Sequence, residues 1–93
     1  MDTKQKIIKM WQYLSDAFEK EEIDAAAEEF EFPIGELEPD KLEQMSEEDL
    51  LGLLLGLSYM SANWLFGGDL YTWNEVLVYN LGFDEETLDY LNY

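Results

Sequence analysis

The stretch SEEDLLGLLLGLSYMSANWLFGG, residues 46–68, decides the fold of this 93-residue chain. Ser46 is a good helix N-cap, and Asp49 three residues later makes a capping-box variant with Asp in place of the usual Glu. Glu47, Glu48 and Asp49 occupy the first turn, where carboxylates meet the positive end of the helix dipole. Gly67-Gly68 supplies the stop. Between these signals the run from Leu50 to Phe66 is apolar on nearly every side, as a helix surrounded by others must be. Gly52 and Gly56, four apart, let another backbone approach closely. The same run holds 17 uncharged positions, the lower limit of a membrane span. Ser58, Ser61, Asn63 and the glycines weaken that alternative, and the acidic flanks give no Lys/Arg bias to orient insertion. A central helix in a water-soluble bundle is expected, with no membrane partner.

Outward from this helix, the rest of the chain reads as its cover. The N-terminal segment, capped by Asp2 or Thr3, repeats Ile7, Trp11, Leu14 and Phe18 at spacings of four, three and four, one helical face. Its lysines lie near its start, the unfavourable end for the dipole, so helix stability does not explain them. No apolar stretch of signal-peptide type follows them. Ala25–Ala27 favour helix to about Phe30, although Phe30, Phe32 and Ile34 alternate with Glu29, Glu31 and Pro33 and permit a short edge strand. Gly35 and Pro39 mark a connector, and Pro39 can open a short helix over residues 40–45. Thr72 with Glu75 suggests another capping box, before Trp73, Val76, Leu77 and Leu81, with Gly82 as the stop. Asp84 caps a last short helix carrying Leu88 and Leu91 on one face and Tyr90 and Tyr93 on a neighbouring one. The expected fold is therefore all-α, a single domain of four or five helices around residues 46–66, with a minor two-stranded element at 29–34 as the fallback. Trp11, Trp64 and Trp73 all fall on apolar stripes and are expected in the core.

Charge restricts function more sharply than pattern does. The chain holds 22 acidic and five basic residues, no histidine and no cysteine, for a net charge of −17. Disulfides, thiolate or imidazole zinc sites, and Cys or His catalysis are excluded. The serines lack an imidazole base, no phosphate-binding glycine loop or nucleophile elbow occurs, and no calcium-loop pattern is present. No catalysis, cofactor or metal site is expected. So few cations cannot form a groove that tracks phosphates, so direct binding of DNA or RNA is not expected either. With 47% hydrophobic residues the chain has the means to build a core.

The negative charge is concentrated. Residues 1–20 are net +1, residues 21–49 carry thirteen acids against Lys41 alone, and residues 50–93 carry six acids and no base. Caps explain Glu47–Asp49, Asp84–Glu86 and Glu75, but not the density between Glu19 and Glu43. On a helix, Glu21, Asp24, Glu28 and Glu31 would form a row on one face, about 5–6 Å apart, with Glu22 and Glu29 beside it. That spacing is close to that of phosphates along a nucleic-acid strand. Like charges at such spacings destabilise a helix, so local stability does not account for the row. The expected partner-binding residues are Glu21, Asp24, Glu28, Glu29, Glu31, Glu36, Glu38, Asp40 and Glu43, extended by Glu47, Glu48 and Asp49. They suit a basic protein, foremost a nucleic-acid-handling enzyme in the cytoplasm whose phosphate-binding groove they would fill. An immunity or antitoxin protein that neutralises a basic toxin through a few aromatic anchors, with Tyr90 and Tyr93 as candidates, is the alternative. A regulatory domain made acidic for solubility is the plainest.

Overall fold

The computed structural model describes residues 1–92, and its first finding concerns the central helix. Helix α4 (Glu47–Met60) starts where Ser46 Oγ accepts the Asp49 amide at 3.2 Å, one arm of the expected box. Its path continues through Ser61–Leu65 in a wider, π-type turn, in which the Phe66 amide donates five residues back to Ser61 at 2.9 Å. The widening begins at Ser61, whose buried hydroxyl donates to the Leu57 carbonyl at 2.7 Å, a back-bond of the kind that bends helices. Gly67 and Gly68 then turn the chain with φ of 61° and 84°, the left-handed conformation for which glycine carries no Cβ penalty. Among the described residues no helix is long and apolar enough to cross a membrane.

Before it come helices α1 (Thr3–Ala17), α2 (Lys20–Glu29) and α3 (Pro39–Glu43), and after it α5 (Leu70–Glu75) and α6 (Glu85–Leu91). A π-type turn over Val76–Asn80 prolongs α5 and closes at Gly82, φ 68°. The chain is all-α, and among the described residues there is no strand. The two-stranded fallback is therefore corrected. Residue 31 is left-handed (Glu31, φ 52°), the Phe32 amide returns to the Ala27 carbonyl at 2.8 Å, and Ile34–Leu37 coils into a 3₁₀ turn. The period of two at 29–34 comes from a helix exit, not from an extended ladder.

One apolar core joins these elements. Ile7, Met10 and Leu14 of α1 and Ile23, Ala26 and Ala27 of α2 bury against Leu54, Leu57 and Met60. Met10, absent from the expected stripe, is fully buried, while Trp11 and Phe18 are half-buried. From the C-terminal side Trp73 inserts, 1% exposed, and its indole Nε1 donates to Ser58 Oγ at 2.9 Å. Thus a buried polar group on α4 is satisfied by the one core side chain that carries a polar N–H. Two readings of the sequence change here. Asp69, not Thr72, caps α5, accepting the Thr72 amide at 3.0 Å. Trp64 is outside the core, 44% exposed, because the wider turn at 61–65 carries it past the face that holds Leu57 and Ser61.

The basic start of α1 also finds its reason. Lys4 Nζ lies 2.5 Å from Glu43 Oε1, the Thr3 hydroxyl donates to the Glu47 carboxylate, and Lys6 Nζ donates to Thr87 Oγ1 at 2.7 Å. These bonds fasten α1 to α3, α4 and α6. A positive segment is what an otherwise negative shell can hold by attraction.

Two glycines test the backbone argument. Gly52 is in mid-helix with open space where a Cβ would stand. Gly52→Ala is therefore expected to raise stability by about 0.5–1 kcal/mol. Gly82→Ala, forced into a positive φ, is expected to lower it by about 1 kcal/mol. Urea denaturation midpoints of the two variants check both.

Candidate functional site

The acidic residues are distributed over a continuous run of surface-facing elements, and their surroundings differ. Helix α2 buries Ile23, Ala26 and Ala27 and turns Glu21, Glu22, Asp24, Glu28 and Glu29 outward, all exposed. Their spacing keeps Glu21, Asp24 and Glu28 on one face. Glu31 does not extend that row. It lies past the helix end, in the left-handed conformation, so the expected line of four is a line of three plus a residue on the exit turn. Glu38 and Asp40 are exposed around the start of α3, and Glu48 is exposed in the first turn of α4.

Three expected partner contacts are already engaged within the fold. Glu43 pairs with Lys4 and Glu47 accepts from Thr3, so both brace α1. Asp24 pairs with Lys20, four residues before it, at 2.7 Å between two exposed side chains. Among the described residues these are the only two ion pairs. The remaining carboxylates of residues 21–49 face water without a cation.

Three acids from different segments meet at one place that the sequence did not reveal. Glu31, Glu36 and Asp49 line a groove of about 560 Å³ between α4 and the chain from Phe30 to Glu36. Its floor is apolar, formed by Phe32, Met45 and Leu53. At its end stands an aromatic cluster: Phe30 meets Tyr59 edge to face at 5.4 Å and Trp64 at 6.4 Å. Tyr59 is 59% exposed. The alternation of acids and aromatics at residues 29–34 is the available signal, and it reads equally as a helix exit or as a short strand edge. Tyr90, by contrast, is tied to the fold, donating its hydroxyl to the Leu51 carbonyl at 3.2 Å. Tyr93 lies outside the described residues.

Among the described residues no three acidic side chains converge in a way that would hold a metal ion. The perturbed carboxylates are helix caps remote from the groove. Hydrogen bonds from the Thr72 side chain and amide hold Asp69 below the ordinary carboxylate range, and those from Thr87 do the same for Asp84, with Lys6 adding to the effect. The Glu43 carboxylate raises Lys4 and the Asp24 carboxylate raises Lys20. Comparison with protein-family models, curated proteins and solved structures found no match for this chain.

Two outcomes in solution follow. Uncompensated charge of one sign opposes compaction and is screened by salt, so the melting temperature is expected to climb as NaCl rises from low millimolar to physiological strength and beyond. A melting temperature that falls with salt would mean that attractive pairs dominate. The caps give a pH dependence with a definite sign. Their folded-state pKa values are lowered, so their stabilisation is complete above the ordinary Asp value of about 3.9 and is lost as pH falls through the lower folded values. The advantage of the parent over Asp69→Ala and Asp84→Ala, read by thermal melting, should therefore narrow below about pH 4.

Proposed function

We propose that this chain is a non-catalytic acidic inhibitor that imitates the charge of nucleic acid and occupies the basic groove of a DNA- or RNA-handling enzyme, such as a restriction or CRISPR nuclease. One observation carries the reading. Across residues 21–49 the carboxylates are exposed or half-exposed, and only Glu43 and Asp24 have a cationic partner. Beyond the first-turn acids of α2 and α4 and the two carboxylates that brace α1, the fold gains little from that arrangement, whereas a cationic groove would gain attraction, faster encounter and displacement of its own nucleic acid. The carboxylates of Glu21, Asp24 and Glu28 on α2 stand in for successive phosphates. Glu29, Glu31, Glu36, Glu38, Asp40 and Glu48 spread the same potential over the adjoining surface.

A second reading, an immunity or antitoxin protein against a basic toxin, is favoured by the Phe30–Tyr59–Trp64 cluster. Aromatic anchors ringed by charge are the usual centre of such interfaces. The two readings differ in how binding energy is divided. Imitation of a polyanion spreads it thinly, and anchored neutralisation gathers it in one or two side chains.

Affinity capture from the native host at low and high salt, followed by competition with duplex DNA, tests the proposal. A basic nucleic-acid enzyme should be retained at low salt, released at high salt and displaced by DNA. Against that partner Glu21→Lys, Asp24→Lys and Glu28→Lys should each weaken binding about two- to fivefold, and Tyr59→Ala little more. If one aromatic truncation abolishes binding while the reversals leave it intact, the anchored reading replaces imitation. If changing Glu21, Asp24, Glu28 and Glu31 together to the amides leaves partner binding and host phenotype unaltered, imitation fails, and if Tyr59→Ala leaves them unaltered as well, both readings fail.

A further inference from the structure

Helix α4 is not covered on all sides. Leu55, Tyr59 and Trp64 stand 38%, 59% and 44% exposed along it, and Leu70 and Tyr71, just after the glycine turn, are exposed beside them. The groove with Glu31 and Glu36 runs along one flank of this face. A second hollow of about 420 Å³ runs along the other, between Leu55, Tyr59, Leu70, Trp73 and Leu91. Gly52, Gly56 and Tyr59 line both, so the two hollows adjoin along the exposed face of α4, and together they are termed the trough. From Asp49 to Asn63 it is about 20 Å long, the length of a helix of about four turns.

The geometry points to this trough as the docking site for a cationic amphipathic helix of a partner protein. Charge complementarity selects that occupant. Glu31, Glu36 and Asp49 edge the trough, no lysine lines either hollow, and Glu48 stands one turn before Gly52 on the same side of α4. A second copy of this chain would bring the same acids and a further charge of −17 against them. An acidic or neutral helix would leave the rim carboxylates unpaired. The apolar face of a basic helix covers Leu55 and Tyr59, and lysines or arginines along one of its flanks meet Glu31, Glu36 and Asp49, which all lie on the first hollow's side. At Gly52 an added Cβ would meet nothing within 4 Å, so an incoming backbone has space there, while at Gly56 the ring of Phe32 already stands 3.4 Å from such a Cβ. The inference rests on the reading that the partner is cationic, and not on that partner handling nucleic acid.

The probe is a synthetic amphipathic helical peptide with leucines on one face and lysines on the other, paired with a glutamate counterpart of the same apolar face. Titration into the full chain is followed by calorimetry and by tryptophan emission. The lysine peptide is expected to bind with a blue shift that Trp64→Phe removes, and the glutamate peptide is expected not to bind. Gly52→Leu should weaken the lysine peptide about tenfold or more by filling the trough, with melting unchanged or raised. Leu55→Gln, an exposed position, provides a second reduction should Gly52→Leu disturb the fold. Equal binding of both peptides overturns the charge argument. Binding of the lysine peptide that neither Gly52→Leu nor Leu55→Gln weakens places it on the acidic helix instead, which overturns the trough while leaving a cationic partner in place. A concentration-dependent dimer that Gly52→Leu abolishes makes a second copy the occupant and overturns the inference. Absence of peptide binding, with salt-sensitive capture of the native partner intact, overturns it without touching the function proposed above.

Discussion

A helix that is apolar around most of its circumference must be hidden by other elements, and here these are five further helices that together bear a large excess of negative charge. That requirement orders the architecture. Helix α1 lies along α4 with Ile7, Met10 and Leu14, α2 packs against the turn at 61–65 that continues α4, and Trp73 closes a further side. The Trp73–Ser58 hydrogen bond removes the cost of placing a hydroxyl and an indole N–H in the same dry interior. What remains is the side with Gly52, Leu55 and Tyr59, which is left exposed among the described residues.

Electrostatics imposes the second constraint. With most carboxylates unpaired, the folded state is held against its own field, and the bonds that resist that field are concentrated at the start of α1. Lys4 and Lys6 reach Glu43 and Thr87, elements far apart along the chain. The same carboxylates that strain the fold set up a negative potential, and under the function proposed above a cation-rich partner would relieve that strain as well as gain contacts.

Elements with strong boundary chemistry were legible in the sequence. Ser46, Gly67-Gly68, Gly82 and Asp84 sit where caps and stops belong, and the apolar run between the first two could only be a central helix. The acidic face of α2 was also readable, because alanines and Ile23 leave its other positions no reason to be buried. Three things were not legible. Thr72 and Glu75 mimic a capping box three residues inside the helix that Asp69 actually begins. The π-type turn at Ser61–Leu65 breaks the 3.6 period on which any assignment of Trp64 depends. The meeting of Glu31, Glu36 and Asp49 is a tertiary event, produced by a left-handed turn at Glu31 that no local pattern announces. In each case the information lies in a departure from regular periodicity.

The fastening of α1 also bears on how the chain folds. Thr3, Lys4 and Lys6 find their partners 44, 39 and 81 residues downstream. Helix α1 packs on near neighbours, α2 and the turn at 34–37, as well as on α4, while its polar anchors close much longer loops. Closing those loops costs chain entropy before the contacts repay it, so the anchors at Glu43, Glu47 and Thr87 tie the opening helix to the assembly of the fold as a whole.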